Sequence, residues 1–419
     1  MFLSRLDLVL IAFLVVADNR SAGVAADRTP GGSKKYPGLE PEAHARCYPS
    51  VTDRPMSLPT SLDQSPKHWW CSQKEEYAWM GFSYHMGGCP SRAVMANTFG
   101  WMRLSKKARY VRLYGGCDHD GFDDDVIEAA AEAGVGIYAL IWFGFDNDDK
   151  WKGRKARLLH AIKENPKASA PYVIRTVTCG SEPLYDKVLP VLKLVAQIED
   201  LKNQLEPFGI PVTLSEMPAG YKANNDTPEI FQAVDFVCLH SFAFFEGNAT
   251  TADHAQVAIR NDVEYGLQHG RGKKVVITQT GWPSNTKSWK ANSPDAIADI
   301  AQEKRYFEVL DEHCDFFKAN RISWFAHILI EEDPSLARQH NQHQIAGENL
   351  LSPNRIKLYQ LDEYVDYLSS WYGLYHILFT QDQLDKKGVG DPQRRPQAVT
   401  PESCATATLV EQTADVEEV

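Results

Sequence analysis

The chain has 419 residues, 43% of them hydrophobic and 11% aromatic, with a formal net charge of -11. That length holds one large barrel with extensions or two ordinary domains. The acidic balance argues against a nucleic-acid partner, which would call for a basic face, and it suits a neutral polymer.

Residues 1–26 read as a secretory signal peptide, with Arg5 in a short N-terminal region, the apolar run Leu8 to Ala17, and the small residues Val24-Ala25-Ala26 for cleavage. The run is too short to span a bilayer; a buried N-terminal helix is the alternative. Residues 27–75 are rich in Pro, Ser and charge and read as an extended N-terminal arm. No later run reaches the roughly 20 apolar residues of a membrane helix. The final residues ATLVEQTADVEEV also lack the hydrophobic tail of a lipid-anchor signal, so no membrane anchor is expected. Eight cysteines fit an oxidising compartment. Cys47 could pair with Cys71 and Cys89 with Cys117, while Cys179 and Cys238 lie within strands as candidate buried thiols; spacing alone does not fix the pairing. Asn225 and Asn248 open glycosylation sequons. The expectation is a secreted, monomeric glycoprotein.

From Tyr77 onward, strand-like and helix-like segments alternate. The strands are read at Trp79–Tyr84, Tyr110–Tyr114, Gly136–Phe143, Val173–Glu182, Val212–Glu216, Phe236–Ser241, Lys274–Gln279 and Ile322–Phe325. Each is short, apolar and nearly continuous, as in parallel strands buried on both faces. Helical patterns include Asp123–Ala133, Trp151–Glu164 and Leu189–Leu205. Ser293-Pro294-Asp295 resembles an N-cap, a first-position proline and an acidic first turn, leading into the stripe Ile300, Phe307, Leu310, Cys314, Phe317. Eight strands separated by helices predict an α/β chain folded as a closed (β/α)8 TIM barrel over residues 76–333, a single catalytic-type domain. The alternative, an open doubly wound sheet, lacks its Gly-rich phosphate loop. Residues 334–383 read as an insertion and barrel-closing segment, and 384–419 as a disordered tail.

In such a barrel the C-terminal strand ends face one site. Those ends supply Tyr84, Tyr114, Trp142, Glu182, Glu216, His240, Gln279, Trp282 and Trp324. Hydroxyl-binding polar groups beside flat aromatic rings suit a sugar, although rim aromatics also simply fill space. No metal and no organic cofactor is expected. His340 and His343 have loose ligand spacing but no Cys or carboxylate pattern. The acidic run 146–149 reads as a solvated loop capping the next helix, with calcium as the alternative.

Four motifs in order then carry a family resemblance: Gly81-Phe82-Ser83-Tyr84, Val111-Arg112-Leu113-Tyr114-Gly115, Val177-Thr178-Cys179-Gly180-Ser181-Glu182-Pro183-Leu184-Tyr185, and Thr278-Gln279-Thr280-Gly281-Trp282-Pro283-Ser284. Over roughly residues 77–333 the chain resembles fungal members of glycoside hydrolase family 17, the β-1,3-glucanases and glucanosyltransferases. The resemblance implies a (β/α)8 barrel, a cell-wall β-glucan partner and a retaining mechanism. In that mechanism one carboxylic acid protonates the leaving oxygen, and a second carboxylate, about 5–5.5 Å away, attacks the anomeric carbon. Glu182 then matches the acid/base, preceded by Ser181 where such barrels often have asparagine. Gln279 occupies the nucleophile position, where the family has glutamate. A neutral amide is a poor nucleophile and cannot stabilise positive charge at the anomeric carbon. Glu216 and Glu246 are the alternative carboxylates. Two functions stay open: an enzyme on β-1,3-glucan with an unusual partner for Glu182, or a catalytically inactive, lectin-like glucan-binding barrel.

Overall fold

In the computed structural model, residues 47–49, 58, 69–145, 149–164, 170–283 and 291–327 are described. The expected signal peptide, insertion and tail lie outside these residues. The strands are β1 Ala78–His85, β2 Tyr110–Tyr114, β3 Gly136–Ile141, β4 Ile174–Ser181, β5 Val212–Glu216, β6 Val237–Ser241, β7 Val275–Thr280 and β8 Ser323–Ala326. Each pairs in parallel with the next, and β8 pairs with β1, so the sheet closes into an eight-stranded barrel in sequence order. The longer helices among the described residues are α1 Arg92–Lys106, α2 Phe122–Ala133, α3 Lys150–Glu164, α4 Val191–Leu205, α5 Ala255–Gly270 and α6 Ile300–Glu312. The TIM-type (β/α)8 barrel anticipated from the strand count is the fold of this chain.

Side chains that alternate along the strands fill two layers. The lumen is packed at its N-terminal end by Met80, Tyr110, Tyr138, Phe236, Cys238, Val276 and Phe325. The opposite parity packs the helices onto the strands: Trp324 of β8, fully buried, meets Trp79, Phe307 and Phe317.

The last part of the expected arm closes the barrel's N-terminal end. Cys47 and Cys71 form a disulfide, Tyr48 donates through its hydroxyl to Val135 O at 2.7 Å, and Trp70 stacks toward Tyr110. Beneath them lies a buried ionic cluster. Arg175 donates twice to the Glu76 carboxylate at 3.0 and 3.1 Å, Lys274 lies 3.5 Å from it, and the Tyr110 hydroxyl donates to it. A second disulfide, Cys89–Cys117, ties the loops after β1 and β2, while Cys179 and Cys238 are buried free thiols.

One helix start differs from its sequence signature. The N-cap of α6 is Asp299, whose carboxylate accepts from Gln302 N, and not Ser293, whose hydroxyl instead accepts from Asp295 N in a local turn. The stripe also breaks at His313, so that Cys314 and Phe317 sit on a separate short helix, Cys314–Ala319. Pattern reading expected helices between the strands but gave no bounds for α1 and α5. α5 carries seven polar or charged residues, Gln256, Arg260, Asn261, Asp262, Glu264, Gln268 and His269, among its apolar ones, which blurs its period.

Candidate functional site

The end of β4 is shaped by what its glycine permits. Gly180 has φ +98°, and a Cβ there would meet Phe143 at 2.8 Å and Pro183 at 2.9 Å. Two residues on, Glu182 itself takes a left-handed conformation, φ 55°, with its N–H donated to Ser215 O of β5 at 2.8 Å. A non-glycine residue held there is strained and is over-determined by its surroundings. The strain turns the side chain out of the strand, where it is 24% exposed.

Three side chains from three strands then converge. His240 of β6 has Nδ1 2.6 Å from Glu182 Oε1. Arg112 of β2 places Nη2 3.3 Å from His240 Nε2 and 3.0 Å from Ser181 Oγ. A guanidinium can only donate, so His240 Nε2 accepts and its proton sits on Nδ1, donated to Glu182. Burial, opposed by Glu182, holds His240 below its usual range and neutral. Burial would raise the Glu182 carboxyl, but the His240 hydrogen bond and the Arg112 charge outweigh it and hold it below the ordinary carboxylate range. Arg112 is lowered to about 10 by burial, against the attraction of Tyr114 and Glu182, and stays charged at neutral pH. The group is a charge-neutral Glu⁻–His–Arg⁺ chain.

At the end of β7, Gln279 is paired in register with His240 and is only 2% exposed. Its Nε2 has no hydrogen-bond partner. Just beyond, Gly281 lets the chain pass β8 closely; a Cβ there would lie 2.2 Å from His327 O.

The aromatic residues divide by strand parity. Tyr114 stays half-buried among His85, at 5.4 Å, His327, at 5.1 Å, and the Arg112 guanidinium, at 5.7 Å. Trp142 is half-buried, with one neighbour, Arg154, over its ring at 5.1 Å and Phe145 against its edge. The other three expected wall residues are corrected by the structure. Tyr84 lies against Phe99 of α1, out of phase with the lumen-facing Ser83. Trp324 is the fully buried layer residue described above. Trp282 is buried against Phe244 and donates its indole N–H to Ile297 O at 2.9 Å. Strand-end position alone ignored the twofold alternation that sends these rings to the helix side.

The alternative carboxylates are also placed elsewhere. Glu216 is fully buried, with Oε2 accepting from Leu184 N and Tyr185 N at 2.7 and 3.2 Å and Oε1 from Met217 N at 2.8 Å. It clamps the loop that follows Glu182. Burial raises it to about 8 despite these backbone donors. Glu246 is exposed, and its charge acts on Asp262 of α5, which bonds Ser241 on the helix side of β6.

A model of the BtgE/BtgC glycoside hydrolase domain matches residues 80–325, which is nearly the whole barrel. The chain belongs to the BtgE/BtgC glycoside hydrolase family. It is 25% identical over 193 residues to the "Probable glucan endo-1,3-beta-glucosidase btgC" of Aspergillus flavus, covering 43% of this chain and 26% of that protein. The protein of the same name from Aspergillus fumigatus is 24% identical over 234 residues, 51% of this chain and 33% of that one. The chain therefore matches about a quarter to a third of the length of these relatives. The cell surface mannoprotein MP65 of Candida albicans is 23% identical over 220 residues, 51% of this chain and 54% of that protein. Among solved structures, the glycoside hydrolase family 17 β-1,3-glucanosyltransferase of Rhizomucor miehei superposes with a TM-score of 0.51 at 21% identity, covering 63% of this chain and 90% of that one. That likeness speaks to the fold.

Several residues of this BtgE/BtgC-type site escaped pattern reading. Arg112 had a signal, since a charged residue inside an apolar strand is rarely buried without a task. His327 follows β8, and Asp186 lies four residues after Glu182, donating its N–H to Glu182 O. Burial, then the Glu182 charge, raises Asp186 to about 6. As for metals, one group of ligand-type side chains converges among the described residues: Cys47, Cys71 and Glu75. Its two sulfurs are joined in the disulfide, which removes both thiolates as ligands. Among the described residues, no helix is long and apolar enough to cross a membrane.

Proposed function

We propose that this barrel binds β-1,3-glucan in its mouth without hydrolysing it. Gln279 stands at the position of the nucleophile, Glu182 at that of the general acid/base, and Tyr114 and Trp142 form the sugar-facing wall with Ser181, whereas His240, expected in that wall, is fully buried behind Glu182 and positions it. The observation that carries this reading is the buried amide of Gln279 at the end of β7, where the family resemblance expects a carboxylate, with Glu182 at the end of β4 held below the ordinary carboxylate range. A retaining step needs a carboxylate to attack and a protonated acid to assist departure. Here the amide does not attack, and the His240–Arg112 chain holds the acid in its ionised form. Glu216, raised to about 8 and locked to three backbone N–H groups, and Glu246, exposed and close enough to act on Asp262 of α5, do not replace the missing carboxylate.

A neutral amide keeps what binding requires. It offers hydroxyl groups both a donor and an acceptor, and the half-buried rings offer flat apolar faces. The names of the A. flavus and A. fumigatus relatives support glucan as the ligand. The two disulfides and the mannoprotein relative support a secreted, cell-wall setting. Calorimetric titration with laminari-oligosaccharides, run beside an assay of reducing-sugar release, tests the reading: saturable binding with no release is expected. Release that disappears in Glu182→Ala would replace it with the enzyme reading.

A further inference from the structure

The floor of the mouth holds buried polar nitrogens without hydrogen-bond partners, three on Arg112 and Gln279 and one, Nδ1, on His327. Arg112 is 1% exposed, yet its Nε and Nη1 have no hydrogen-bond partner; neither does Nε2 of Gln279, 2% exposed. Arg112 Nη2 alone is engaged, by Ser181 and His240. His240 is the strand neighbour of Gln279 and the hydrogen-bond neighbour of Arg112, so the unpartnered groups belong to one locus. Guanidinium nitrogens and an amide NH2 cannot satisfy one another. Buried donors left unmade are costly, and a charged donor most of all. What the Arg112 Nε and Nη1 and the Gln279 Nε2 lack is an acceptor, since Glu182 balances the Arg112 charge only through His240. Glu182, joined to Arg112 through His240, is 24% exposed, so this chain of residues reaches the surface at Glu182.

We propose that this floor is a carboxylate-binding pocket, in which Arg112 and the Gln279 amide donate to a single carboxylate carried by a small free acid or by an acidic sugar. Charge-assisted bonds from arginine to carboxylate are the strong kind. The pocket goes beyond the glucan reading and stands without it, because a free acid can be titrated with no glycan present. Glu182 competes with the ligand for the Arg112 charge. His240 from β6, Asp186 from the loop after β4 and Glu216 from β5 also face Glu182. Of these, His240 and Glu216 are neutral at neutral pH while Asp186, raised only to about 6, is ionised; Glu182, bonded to His240, is the carboxylate nearer to Arg112 along the chain of bonds.

That competition gives a test that moves in both directions. Formate, D-glucuronate and, as a neutral control, D-glucose are titrated calorimetrically into the full chain at neutral pH. The wild type is expected to bind a carboxylate saturably and more tightly than glucose. Glu182→Gln removes the competing charge and should tighten carboxylate binding about tenfold or more. Gln279→Glu supplies the missing acceptor in place and should weaken it by a similar factor. Glucuronate exceeding formate assigns an acidic sugar; formate equal to glucuronate assigns a free acid. Both exchanges are isosteric, and should one variant fail to fold, the opposite shift in the other still decides. No carboxylate binding by the wild type, or equal binding in all three proteins, would mean that the Gln279 amide oxygen itself serves Arg112, and would overturn the pocket.

Discussion

His240 Nδ1 stands 2.6 Å from Glu182 Oε1, and the same imidazole accepts from Arg112 on its far side. One neutral ring thus links a carboxylate on β4 to a cation on β2. Replacing His240 by alanine should raise the Glu182 pKa, because burial then acts with only Arg112 opposing it. An NMR titration of carboxyl-labelled protein reads this directly. An unmoved Glu182 would show that Arg112 alone sets its charge.

The division of the aromatic residues by strand parity is testable through binding. Tyr114→Ala should weaken laminari-oligosaccharide binding by about 1 kcal/mol, the usual worth of a ring contact, at little cost in stability. Trp324→Ala should cost about 3–5 kcal/mol of stability, because it empties a fully buried site. Urea unfolding beside calorimetry separates the two. Equal losses of affinity in two folded proteins would contradict the assignment.

Glu216 makes a pH argument whose sign is set by its raised value of about 8. The folded state holds its proton between the ordinary carboxylate range and pH 8, while the unfolded chain does not. Its contribution is therefore full below the ordinary range and is lost as pH rises through 8. Glu216→Gln should flatten the fall in stability between pH 5 and 8. Glu216→Ala should destabilise by about 3 kcal/mol or more by leaving Leu184, Tyr185 and Met217 N–H groups unmet. Thermal melts across pH check both.

Glu76 has the opposite sign. Burial opposes its charge, but Arg175 and Lys274 outweigh it and lower it to about 2. Its contribution is present above the ordinary carboxylate range and lost as pH falls toward 2. Glu76→Gln leaves two buried cations unpaired and should cost about 3–5 kcal/mol at neutral pH. Denaturant midpoints measure this.

The barrel was legible because its eight apolar runs are short, evenly interleaved with helical stretches and nearly unbroken, the pattern that burial on both faces imposes. Glu182 and Gln279 could be placed at the ends of β4 and β7 because Gly180 and Pro183, and Gly281 and Pro283, break the chain around them, whereas the roles proposed for them rest on the family resemblance. The wall was less so. Tyr84, Trp282 and Trp324 satisfy strand-end position, but which face a ring takes depends on bulges, such as the register shift between Trp79 and Gly81, that leave no residue-level mark. The bond from His240 to Glu182, the partner-poor Arg112 and the clamp by Glu216 join residues 32 to 128 positions apart, distances over which a one-chain pattern carries no information.

The central claim is that the amide at position 279 separates binding from turnover. Reducing-sugar release from laminarin by the wild type and by Gln279→Glu tests it most directly. The expected result is no release by the wild type and measurable release by the variant, with both proteins binding the polysaccharide. Release by the wild type that equals or exceeds that of the variant would contradict it.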